Sequence, residues 1–320
     1  MLIKKIILAG IGLCVSLGAS AQEFPNKPIR VIVPFPAGGT VDQVARAVSS
    51  KMQDVLGQPL VIENKGGAGT LIGSDQVAKS HPDGYTLLWT ATPLAINASL
   101  VPKMPYDTLK DLTMVGDVAA VPLVVIVPPS SPATTIQELV DIAKAKPGTL
   151  NYGSSGVGGS AHLASAMFLH DAGITMNHVP YKGSAPAVTD LVGGHLDMVV
   201  DTLFLARPYA ESGRARVLAQ SGATRSNLMP DVPTMIESGF KDYTVESWHV
   251  VAAPAATPKD VIEKLNAALN QALENEDVKK TLVEQGLELR GNTPEEANKH
   301  FQEEVVRWGL AVKNSGAQAQ

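Results

Sequence analysis

The residues that could do chemistry sit in glycine- and hydroxyl-rich turns behind β-forming runs. The first is Val31-Ile32-Val33-Pro34-Phe35-Pro36-Ala37-Gly38-Gly39-Thr40, which runs straight into Val41-Asp42-Gln43. Two glycines allow a turn that a Cβ would obstruct. Thr40 can cap the following helix, and Gln43 three places on completes a capping-box pattern. A helix start presents unpaired N–H groups and the positive end of the helix dipole, and so attracts anions. No Lys or Arg stands in the turn, so a carboxylate there would be held by backbone and hydroxyl donors. One such mouth alone is better explained by an ordinary tight loop. The pattern recurs, however, at Lys65-Gly66-Gly67-Ala68-Gly69-Thr70, Thr90-Ala91-Thr92-Pro93, Ser154-Ser155-Gly156-Val157-Gly158-Gly159-Ser160 and Pro180-Tyr181-Lys182-Gly183-Ser184.

Rival chemistries fit less well. Gly67-Ala68-Gly69-Thr70-Leu71-Ile72-Gly73 has the spacing G-x-G-x-x-x-G, not the dinucleotide G-x-G-x-x-G, and the next strand ends in Thr90 with no acid for a ribose. No G-x-S-x-G elbow occurs. Seven histidines form no H-x-x-x-H or H-E-x-x-H pair, so neither a metal nor another cofactor is expected. His162 falls in the first turn of the helix after Ser160 and could reach a ligand or bond to backbone. Asp201 ends a strand, where it could hold waters or a ligand amine, or cap the next turn. Asp42 is dipole-favourable near its helix start. Lys182 and Arg207 are the nearest plausible cations, the second suited to a distal carboxylate. Trp89 and Phe204 could line an apolar pocket, with core packing as the default reading of both.

The elements that would position these residues follow from the chain order. Lys4 and Lys5, an apolar run from Ile6 to Leu17 and Ala19-Ser20-Ala21 read as a secretory signal peptide over 1–21. The run is short of the ~20 residues a membrane span needs. Cys14 lies inside it, leaving a mature chain without cysteine. The chain has 26 basic and 31 acidic residues, and losing Lys4 and Lys5 takes the net charge from −5 to −7. That balance argues against nucleic acid and anionic membrane surfaces. Strands alternate with helices, which implies parallel sheets with ligand loops at the strands' carboxyl ends. Val44, Ala47, Val48, Met52 and Val55 mark the first helix face. Ser160, Thr257 and Thr293 are expected N-caps, as is Thr135 of the capping box Thr135–Glu138. Val115–Val127 and Val245–Ala253 are long β-rich runs, read as crossings between two halves that each carry their own mouths.

Several motifs together resemble the periplasmic solute-binding proteins of tripartite tricarboxylate transporters, the Bug-type receptors. They are Pro34–Asp42, Glu63–Gly69, Asp83–Leu87, Gly158–Ala164 and Val179–Pro186, in the family's order over nearly the whole mature chain. The chain departs from family habit at Lys65-Gly66 and at Thr202. The resemblance implies an α/β, type II periplasmic-binding-protein fold, with two Rossmann-like lobes joined by two crossing strands. One lobe would be 22–122 plus 249–320 and the other 123–248. It implies a ligand carboxylate held by Phe35, Ala37, Gly39, Thr40, Asp42 and Thr90 from one side. Ser154, Ser160, His162, Lys182 and Asp201 would face it, with Phe204 and Arg207 setting specificity. The expected protein is a monomeric, non-catalytic receptor for a small mono- or dicarboxylate, aromatic or not, serving membrane permease subunits. An exported enzyme or a sensor accessory on the same bilobal fold are the alternatives.

Overall fold

The computed structural model describes residues 24–284 and 286–318; the expected signal peptide lies outside them. The first lobe opens with β1 (Ile29–Val33), α1 (Thr40–Leu56), β2 (Leu60–Asn64), α2 (Leu71–Ala78), β3 (Thr86–Ala91) and α3 (Pro93–Leu100). β1 pairs in parallel with β2 and β3, as strand–helix–strand units require. β4 (Leu112–Val127) then runs for 16 residues, all but Thr113 buried.

The second lobe repeats the plan with α4 (Ile136–Ala145), β5 (Asn151–Ser154), α5 (Ser160–Ala172), β6 (Asn177–Pro180), α6 (Ser184–Val192), β7 (Met198–Thr202), α7 (Leu203–Glu211) and β8 (Arg216–Gln220). β5 pairs in parallel with β6 and β7. The chain returns through β9 (Glu246–Pro254), α8 (Lys259–Leu273), α9 (Glu276–Glu284), β10 (Glu288–Leu289) and α10 (Pro294–Ser315).

The sheet order is β2-β1-β3-β9-β4-β7-β5-β6, with β8 and β10 also on β4. The long apolar run is therefore the strand common to both lobes. Up to Pro122 it pairs with β9, and from Leu123 onward with β7 and β8. At the switch, Leu123 N donates to the Ser221 hydroxyl at 2.9 Å, and that hydroxyl donates to Val245 O just before β9. One buried serine thus ties both passages of the chain between the lobes.

Apolar side chains alternate along the strands, as a sheet covered on both faces requires. Val31, Val33, Leu87 and Trp89 face the α1 and α8 side, whereas Ile32 and Leu88 share a core with Leu94, Phe301 and Trp308. On α1 the buried face is Val44, Ala45, Val48, Met52 and Leu56; Val55 is exposed, which shifts the expected stripe by one residue.

The capping boxes at Thr135 and Thr293 form. The other expected caps do not. Gly39, Gly159 and Pro258 hold the N-cap positions, leaving Thr40 and Ser160 as first helical residues. At α1 the reason is local. Asp42 Oδ2 accepts from Gly38 N at 2.8 Å, while the Gln43 amide turns back to Gly38 O.

Candidate functional site

Turns at the carboxyl ends of strands carry the candidate residues. In the β1–α1 turn, Asp42 is buried and takes hydrogen bonds from Gly38 N, from Arg46 Nε at 2.9 Å and from Asn64 Nδ2 at 2.9 Å. Asn64 also holds Phe35 O at 3.1 Å. Burial opposes the charge on Asp42, but the Arg46, Gly38 and Asn64 hydrogen bonds outweigh it and keep the carboxyl below its ordinary range. The anion that the α1 dipole attracts is thus one the chain supplies itself. Asp42 braces the turn and does not line the cleft.

The β2–α2 turn is strained. Ala68 (φ 46°), Gly69 (φ 63°) and Thr70 (φ 82°) lie successively in the left-handed region, two of them with a Cβ. Such conformations persist only where the surroundings over-determine them. Here Asn97 of α3 donates to Gly69 O at 2.7 Å and lies 3.2 Å from the Thr70 hydroxyl. The bonds closing the turn run from Thr70 N to Gly67 O and from Leu71 N to Ala68 O. The N–H groups of Gly67, Ala68 and Gly69 stay outside it. The next glycine of the run, Gly73, serves packing: a Cβ there would stand 2.8 Å from Lys65 O and 2.9 Å from Pro34 Cβ.

In the second lobe, Ser154 is buried and its hydroxyl lies 2.7 Å from His178 Nε2. The His178 ring stacks on Tyr152 and, at 4.0 Å, on His162. His162 Nδ1 accepts from Gly158 N at 3.1 Å, which places its proton on Nε2. Burial, and then the neighbouring His178, push His162 down to about 4. These rings form a neutral stacked base that fixes the shape of the β5–α5 turn above it.

The mouths meet in a cleft of about 550 Å³. From the first lobe it is lined by Pro34, Phe35 and Pro36, by Gly66, Gly67, Gly69 and Thr70, and by Pro93, Ile96, Asn97 and Leu100 of α3. From the second it is lined by Val157, Gly158 and Gly159. The lobes approach closely, since a Cβ on Gly158 would stand 2.6 Å from a Leu100 methyl. A wider depression of about 630 Å³ lies elsewhere, lined by Tyr106, Asp107, Asp111 and Val305 among others. It is formed by the first lobe alone and carries acids, both of which argue against an anion site.

Of the residues singled out from sequence, Phe35 lines this cleft. Ala37, Gly39 and Thr40 are exposed on the same turn but stand outside the lining. Thr90 is wholly buried in the sheet, its hydroxyl unpartnered. Ser154 and His162 lie beneath the second-lobe turn, and Ser160 opens α5 next to the lining Gly159. Lys182 is exposed and outside the cleft. Asp201 is buried; one oxygen accepts from Thr202 N at 2.7 Å, and burial raises its carboxyl against the opposing pull of the Ser184 and Thr202 hydrogen bonds. Phe204 is 46% exposed and sits against Gly286, while Arg207 pairs with Glu211 at 2.7 Å. Sequence reading named the turns ending in Thr70 and Pro93 as mouths without placing either residue in the site, and it passed over Ile96, Asn97 and Leu100. The glycines flag the first of these turns, but nothing in the α3 sequence marks its cleft face.

Among the described residues no group of three or more His, Cys, Asp or Glu could hold a metal, and no helix is long and apolar enough to cross a membrane.

Comparison with known proteins agrees with this architecture. Protein BugT of Bordetella pertussis is 38% identical over 318 residues, covering 97% of this chain and 98% of that protein. An R. palustris protein solved with adipate is 33% identical, with a TM-score of 0.77, over 92% of this chain and 99% of the other. MatC from Rhodopseudomonas palustris, solved with bound malate, is 31% identical, with a TM-score of 0.74, over 90% of this chain and all of the other. The fold is the two-lobed α/β, type II periplasmic-binding-protein fold, shared with the periplasmic binding protein BugD and a TctC solute-binding protein from Polaromonas, and the family is one of receptors, not enzymes. Residues 44–317 match the model of the tripartite tricarboxylate transporter family receptor, and the chain belongs to that family.

Proposed function

We propose that this protein is a periplasmic receptor that captures a small carboxylic acid between its lobes and delivers it to the membrane subunits of a tripartite tricarboxylate-type transporter. The observation that carries the reading is a cleft shared by two lobes, free of charged side chains and edged by backbone donors. The left-handed Gly67–Thr70 turn offers N–H groups from one side. The start of α5 offers its first-turn N–H groups and the Ser160 hydroxyl from the other. Each charge-assisted bond to a carboxylate contributes roughly 1.5–3 kcal/mol, so a few suffice for micromolar affinity without an arginine. Relatives solved with adipate and malate hold acids of this kind.

In this reading residues 1–21 are removed on export and the mature chain acts as a monomer in the periplasm. The lobes, 22–122 with 249–320 and 123–248, close by bending where β4 changes partners, and ligand stabilises the shut form. Phe35 and Ser160 touch the ligand. Ser154 and His162 act beneath them by holding the turn, and Asp201 stands behind the second-lobe mouths.

A thermal-shift screen of small carboxylates on the mature protein tests the proposal. A ligand at 100 times its Kd adds about 2.7 kcal/mol of stability. A panel in which no acid raises the melting temperature would remove the receptor reading.

A further inference from the structure

The lining of the cleft says more than that an acid binds there. We propose that the ligand carries a single carboxylate on an apolar body, such as a ring or a short hydrocarbon chain, and that a second carboxylate or an ammonium group is excluded. This rests on the receptor reading above and narrows its substrate class.

The polar groups of the lining are those of the two glycine turns and the Asn97 side chain, whose amide is already spent on Gly69 O and the Thr70 hydroxyl; the donors left for a ligand gather at the turns, where one carboxylate can be held. The remaining walls are apolar: Pro34, Phe35 and Pro36 on one side, Ile96 and Leu100 on another, and Val157 from the second lobe. No lining side chain is charged. The nearby cations are turned to other tasks. Arg46 holds Asp42 and Asn64, and Lys65 stands 4.0 Å from Glu63. Arg207 holds Glu211, and Lys182 lies outside the lining.

A second carboxylate taken into this space would lose its water and meet no counter-charge. A charge leaves water only where it is paired or hydrogen-bonded, and away from the two glycine turns the walls offer a second carboxylate neither. An apolar ring meets the opposite condition. Phenylalanine and proline faces with aliphatic side chains offer dispersion contacts and no unpaired donors, and about 550 Å³ leaves ample room for one ring.

The relatives solved with adipate and malate set the sharpest contrast, because both of those acids carry two carboxylates. Calorimetric titration of the mature protein with benzoate, cyclohexanecarboxylate and hexanoate, against adipate, malate and glutamate, decides the matter. At least one monoacid is expected to bind tenfold or more tightly than every acid of the second set. If adipate, malate or glutamate is the tightest ligand, this inference falls while the receptor reading stands. If none of the six binds, the receptor reading falls and takes this inference with it.

A Val157→Asp variant gives an independent check. Val157 is 40% exposed on its turn, so the fold tolerates the change. Its melting temperature is expected to hold while monoacid affinity drops at least tenfold. Unchanged affinity would overturn the assignment of this wall.

Discussion

Buried histidines give this chain a pH dependence that can be worked out residue by residue. Burial and the neighbouring His178 push His162 down to about 4, and burial does the same to His249, whose Nδ1 has no partner. In both, the folded value lies below the unfolded one near 6.5. The unfolded chain therefore binds protons first as pH falls. Stability is full above about 6.5 and declines down to about 4, by up to roughly 3 kcal/mol per histidine. His300 runs the other way. Burial pulls it down, but the Asp117 hydrogen bond and the charges of Asp117, Glu304 and Glu246 raise it on balance. Its contribution is complete below the unfolded value and is lost as pH rises through the folded one. Urea midpoints between pH 7.5 and 4.5 should fall with acidification, and His249→Asn should flatten that slope. At this scale the sequence was partly legible. The types at Asp42 and Thr40 pointed to an anion-friendly helix start. The partner that answers it, Asn64, lies 22 residues away and leaves no local trace.

Among the elements, α3 and α10 act as clamps whose importance depends on single side chains. Asn97→Ala removes the bonds that hold Gly69 and Thr70 in the left-handed region. The turn should relax, with a stability loss of about 1–2 kcal/mol and at least a tenfold loss of ligand affinity by calorimetry. On α10, buried Glu304 accepts from the indoles of Trp248 at 2.7 Å and Trp308 at 2.8 Å. Glu304→Ala leaves two buried N–H groups and the nearby Arg307 without their acceptor. It should cost about 3–5 kcal/mol in denaturant unfolding. Glu304→Gln, which keeps one acceptor oxygen, should cost less. The Thr293 box and the β4 crossing could be read from local pattern, the first by its spacing and the second by its length and lack of charge. The cleft face of α3 could not. Nothing in the types of Ile96 and Leu100 sets them apart from core residues, and only the approach of the second lobe makes them a wall.

For the whole molecule, Ser221 joins the two passages between the lobes. Its hydroxyl serves Leu123 on one passage and Val245 on the other. Ser221→Ala should destabilise by about 1–3 kcal/mol and make the two passages exchange amide hydrogens faster than the lobe cores. The two-lobed plan was legible because each half repeats strand, turn and helix. The closeness of the lobes was not, since Gly158 against Leu100 is a contact between surfaces that no local pattern encodes. α10 rests on α3 of the first lobe and also on α5 of the second. Arg307 of the same helix donates to Thr244 O, and the Tyr243 hydroxyl reaches Ala164 O of α5 at 2.8 Å. A rod laid along both jaws forbids a free swing on that flank. Under the proposed closure the gape would widen on the opposite side, with α5 sliding along the rod by small side-chain steps, so that guests would arrive and leave by the same door.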